Sequence, residues 1–129
     1  MSAPVTNHEL TPHPDDDTAH PIPSLAVIDV TTILVGGGAD LHIVVASPLT
    51  ADRRSLVRLQ DKIEGYLRHI LSQEFQAEAG VPNPGNTTIK VNLHPDSAPE
   101  VYDFLVRSKS WVLANGATLK IGPLDPTVH

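Results

Sequence analysis

Apolar and polar residues alternate along three short stretches of this chain, and a 3–4 spacing separates them. Residues 25–35 (Leu-Ala-Val-Ile-Asp-Val-Thr-Thr-Ile-Leu-Val) are rich in β-branched types and predict a first strand. Three glycines, Gly36 to Gly38, then break the pattern. They give the backbone free access to positive φ, as a hairpin loop requires. A phosphate-cradling loop would feed a helix N-terminus. This run instead feeds residues 41–47, where Leu41, Ile43 and Val45 alternate with His42, Val44 and Ala46, so a second strand is expected. Pro48 ends it, and Thr50 with Asp52 offers an N-cap and a first-turn negative charge. Leu56, Leu59, Ile63, Tyr66, Leu67, Ile70 and Phe75 then recur at helical spacing. Arg54, Arg58, Asp61, Lys62 and Arg68 fall on the opposite face, which reads as solvated, with Glu64 and Arg68 paired one turn apart. Continued to Glu78, the helix would reach about 42 Å, against a radius of gyration near 13 Å for a domain of this size. It is therefore expected to stop between Ser72 and Glu74, or else to project onto another subunit.

Residues 80–86 read as a loop, and residues 88–94 as a third strand with Ile89, Val91 and Leu93 on one face and Lys90, Asn92 and His94 on the other. Ser97 and Glu100 have capping-box spacing around Pro99. The second helix is expected to bury Val101, Phe104 or Leu105, Ser108, Trp111 and Val112, and to stop at Asn115-Gly116. A last strand at 117–122 points Leu119 and Ile121 inward. The predicted order is β-β-α-β-α-β. It describes an α+β two-layer α/β sandwich, a four-stranded mixed sheet with two helices on one face. The other face is left uncovered, with His42, Val44, Ala46, Lys90, Asn92, His94, Thr118 and Lys120 on it.

The flanks differ from this core. Residues 1–23 hold five of the twelve prolines, and Glu9, Asp15, Asp16 and Asp17 with no Lys or Arg. They read as a disordered or extended acidic tail whose histidines (His8, His13, His20) are solvated. Residues 24–124 form the single domain, and residues 125–129 a short C-terminal tail. At 129 residues the chain has room for one core. A net charge of −6 argues against a nucleic-acid or anionic-membrane surface. Without cysteine there are no disulfides, no thiol catalysis and no thiolate metal site. No apolar run approaches a membrane span, and the N-terminus lacks the layout of a secretory signal, so a cytoplasmic protein is expected.

Val27-Ile28-Asp29, Leu41-His42-Ile43, Leu59-Gln60-Asp61-Lys62-Ile63, Tyr66-Leu67, Ile70 and Ile89-Lys90-Val91 together carry a resemblance. Over residues 26–122 the chain resembles a family of small bacterial domains of unknown function whose long helix reads Leu-Gln-x-Lys-Ile-x-x-Tyr-Leu. The resemblance implies the same fold and a bacterial cytoplasmic setting, and it supplies no catalytic residues.

Candidate chemistry is thin. No serine stands in a strand–turn–helix elbow. His42 and His94 share the uncovered face, and Asp29 would have to join them to hold zinc. His42, Lys90, Asn92 and His94 are the ligand-binding candidates, two cationic or titratable types and an amide that suit a small anion. No cofactor is indicated. Enzyme status is open and leans negative. The expected partner is another protein or a second copy of the chain, since an uncovered mixed sheet face resembles a dimer contact.

Overall fold

The structure, a computed structural model, describes residues 16–123. His8, His13 and the C-terminal tail lie outside the described residues. Strand β1 (Val30–Ile33) and β2 (Ala39–Val45) form the hairpin, followed by helices α1 (Arg53–Ile70) and α2 (Gln73–Ala79), strand β3 (Thr87–Leu93), helix α3 (Pro99–Ala114) and strand β4 (Thr118–Pro123). The sheet order is β1-β2-β3-β4. The hairpin pair is antiparallel, and β2–β3 and β3–β4 are parallel. Two successive crossovers that step the same way along a sheet leave their helices on the same side. The mixed sheet with helices on one face is thus the expected architecture.

Register explains the core. Leu41, Ile89 and Leu119 form one row across the three parallel strands, and Ile43, Val91 and Ile121 the next. Their alternates are only partly shielded. Leu59, Ile63, Tyr66 and Ile70 of α1, and Val101, Leu105 and Val112 of α3, complete the buried cluster. Trp111 and Phe104 are half-buried at its margin rather than inside it.

Several local expectations are corrected. The long helical pattern splits in two. Leu71 caps α1, and the Ser72 side chain accepts from the Phe75 backbone N–H at 3.2 Å to start α2. The turn keeps Phe75 and Ala79 buried, which resolves the length conflict without a projecting rod. The N-cap of α1 is Asp52, not Thr50; its carboxylate accepts from Ser55 N and from the Thr50 and Ser55 hydroxyls. Those donors hold the Asp52 carboxyl at about 2. The N-cap of α3 is Ala98, with no side-chain bond, and Ser97 instead accepts from the buried Leu49 N–H at 3.0 Å. Gly38 sits at φ +93°, and a Cβ there would stand 2.1 Å from the Asn86 carbonyl oxygen. Only glycine fits where the hairpin closes on the loop before β3.

The largest revision concerns the N-terminal side. The first strand is four residues long rather than eleven, because residues 25–29 run beside α1 with the segment from His20, and Leu34 and Val35 belong to the hairpin turn. Ile22 is fully buried, so the packed chain begins before residue 24.

Candidate functional site

Lys62 and Arg58, expected on a solvated face, are buried. Both border the apolar stripe of α1, on the flank that meets residues 20–29. Arg58 donates through Nε and Nη2 to the Ile22 carbonyl at 3.0 and 2.7 Å. The Lys62 ammonium, 1% exposed, donates to the carbonyls of Ser24 and Val27 at 2.5 and 2.6 Å and to Asp29 Oδ1 at 2.9 Å. All three of its protons are thereby placed, and the ammonium lies 5.8 Å from the centre of the Tyr66 ring. Tyr66 donates its hydroxyl proton to the His42 carbonyl and accepts from Asp29 N–H at 2.8 Å. Burial pushes its pKa well above the usual phenol range. Asp29 Oδ2 accepts from Val44 N–H at 2.9 Å, which ties the strap back to β2.

This arrangement reads as architecture rather than chemistry. A catalytic lysine needs a free lone pair near substrate, whereas Lys62 is saturated as a donor by oxygens of its own chain. The buried positions of α1 have the same structural role. Leu59, Ile63, Tyr66, Leu67 and Ile70 fill the core, and Lys62 with Tyr66 fastens the strap.

A second polar cluster forms at the strap's start. His20 Nδ1 accepts from Ile22 N–H at 2.9 Å, so the ring proton sits on Nε2, which lies 2.9 Å from Ser55 Oγ. The Ser55 hydroxyl in turn donates to Asp52 Oδ1 at 2.8 Å. Serine, histidine and carboxylate are in contact, but their order is inverted relative to a nucleophilic triad. A general base needs its lone pair on the nitrogen facing the serine, and the carboxylate must face the histidine. Here the relay completes the cap of α1. Burial, reinforced by the Arg58 and Arg54 guanidiniums, lowers the His20 pKa from its ordinary value. Asp17, held below the usual carboxylate range by its bond to Arg54, closes this end of the strap.

The four sequence-predicted ligand residues are only partly gathered. His42, Lys90 and Asn92 lie on the uncovered face, with His42 directly beside Lys90 in the register. His42 Nδ1 and Asn92 Oδ1 are 2.7 Å apart, and Lys90 lies 3.4 Å from Asp40. His94 follows the end of β3 and accepts from Asp96 N–H in the next turn. Three cavities lie elsewhere, against His69 and Phe75, between Lys109 and Lys120, and between α1 and Trp111. Asp29 is committed to Lys62 and β2, and among the described residues no group of three or more His, Cys, Asp or Glu side chains is placed to hold a metal ion. Among them, too, no helix is long and apolar enough to cross a membrane.

The signal that sequence reasoning missed was available in part. Positions 55, 58, 62 and 66 share one helix flank, but three of them are polar, and a polar flank reads as solvated until a polar partner is known.

No family model, no curated protein and no solved structure matches this chain.

Proposed function

We propose that the chain is a non-enzymatic protein–protein interaction module of the bacterial cytoplasm that works as a homodimer through its uncovered sheet face. One observation carries this reading: all the helical cover lies on one side of a four-stranded sheet. Across the other side run Val30 and Val44, with His42, Asn92, Asp40, Lys90 and Lys120 around them. Apolar footing ringed by charges of both signs is the composition of a specific, reversible contact. An isologous pairing also lets Asp40 of one copy meet a lysine of the other. Val35, fully exposed in the hairpin turn, adds apolar surface beside β1.

Ligand capture by His42, Lys90, Asn92 and His94 draws less support. A small anion needs unpaired cations converging on a hollow, whereas Lys90 is beside Asp40 and His42 beside Asn92 on an open sheet.

Sedimentation equilibrium of the full chain tests the proposal. The expected mass is twice the 13.9 kDa of the chain. Val44→Glu should return it to one chain mass with unchanged circular dichroism. A wild type that stays monomeric up to about 1 mM would remove the reading, since a functional dimer should be tighter than that.

A further inference from the structure

The free edge of β4 carries an independent inference. Among the described residues β4 pairs only with β3. Helix α3 sits over that end of the sheet with Val101, Leu105, Ser108 and Val112 turned inward. A second set, Tyr102, Val106, Lys109 and Leu113, follows at the same 3–4 spacing, about a quarter-turn round the helix. Trp111, on the opposite flank, faces the groove beside α1, so this second set overhangs the outside of β4. Its apolar members are exposed: Tyr102 by 37%, Val106 by 55% and Leu113 by 53%. Beneath Leu113 and Lys109, against Leu119 and Lys120, lies a cavity of about 500 Å³. Helix and strand together therefore leave the space that the inward side chains of one more strand would fill.

The charge around that space is of one sign. Lys109 rims it on the helix side, and Lys120 projects on the uncovered side of the sheet. Neither forms a salt bridge among the described residues. We propose that this edge takes up an extended acidic peptide as a fifth strand. Its apolar side chains would alternate inward beneath Val106 and Leu113. Its carboxylates would alternate outward toward Lys120, with Lys109 reading an acidic residue at the strand's end. A second copy's β4 is the poorer occupant, because antiparallel pairing centred on Lys120 sets the two Lys120 side chains directly opposite each other.

The test uses the full chain, isotope-labelled for NMR, titrated with synthetic peptides of about ten residues. One alternates Val and Glu, one alternates Val and Lys, and one is the Val-Glu peptide with a central Pro. The Val-Glu peptide should shift the amides of Thr118 to Gly122 and of Lys109 to Leu113. It should bind at least about tenfold more tightly than the Val-Lys peptide. The Pro peptide should lose this binding, since it lacks a ladder N–H. Lys120→Glu should reverse the preference between the two charged peptides, and Leu113→Glu should weaken both. Equal binding of all three peptides, shifts confined to another surface, or no binding below about 1 mM overturns the proposal. So does self-association of the wild type that Leu113→Glu abolishes, which would give the edge to a second copy. Val44→Glu is expected to leave peptide binding unchanged, which separates this site from the proposed dimer face.

Discussion

Replacing Lys62 by Met keeps the length of the stem and removes the three donated protons. The structure sets the size of the effect. Lys62 is 1% exposed, and its ammonium bonds two carbonyls and one carboxylate. Breaking a fully buried ion pair from one side costs about 3–5 kcal/mol, because the remaining charge is stranded. Asp29 is not fully stranded, since its side chain is 24% exposed and it keeps the Val44 N–H. The Val27 carbonyl belongs to an exposed residue and can recover water. The methionine also relieves the desolvation of an ammonium. These offsets bring the expected loss to about 2–3 kcal/mol. For a domain near 100 residues that is about 8–16 °C in Tm. Urea unfolding followed by Trp111 fluorescence and circular dichroism measures it. A double-mutant cycle with Asp29→Asn should return a coupling of about 1–2 kcal/mol. Native-state hydrogen exchange should show the Asp29 and Val44 amides losing protection before those of β3. A change below about 0.5 kcal/mol, the size of an ordinary surface substitution, would refute the reasoning. It would mean that the ammonium contributes nothing the stem does not.

Three other outcomes follow from the geometry. Gly38→Ala combines positive φ with a Cβ 2.1 Å from a backbone oxygen, and should cost at least about 2 kcal/mol by urea unfolding. Ala98→Ser supplies the missing cap of α3 and should stabilise by about 0.5–1 kcal/mol in the same assay. His20 makes stability fall with acid. Its folded pKa lies below the ordinary value, so its contribution is present above about pH 6.5 and is lost as pH drops through the folded pKa. Asp52, at about 2, stays ionised across that range. Urea midpoints of wild type and His20→Gln between about pH 7.5 and 5 should therefore converge on acidification, and parallel curves would exclude this role for His20.

Much of the fold is legible in residue order because its causes are local or nearly so. The alternation in Leu41-Ile43-Val45 and in Ile89-Val91-Leu93 declares strands with one buried side. The spacing from Leu59 to Ile70 declares a helix with one apolar stripe, and Gly116 at φ +93° ends α3 where the Asn-Gly pair predicts. The cap of α3 differs from expectation for a tertiary reason. Ser97 has the right chemistry to cap α3, but Leu49, distant in sequence, brings a buried N–H that needs it more. A buried donor left unsatisfied is costly, and this one is known only once the chain has folded.

The sequence by itself determined the layers: alternating and 3–4 patterns state which side of each element shuns water, and two helical crossovers joining three strands leave one sheet face bare. Tertiary structure alone decided the fate of the polar residues. Whether Lys62 is solvated or buried depends on whether the carbonyls of Ser24 and Val27 lie within its reach. Those carbonyls belong to every residue type alike and leave no mark in the sequence. An apolar side chain is driven from water wherever it sits, whereas a charged one is buried only beside a partner, and such partners are set by three-dimensional proximity.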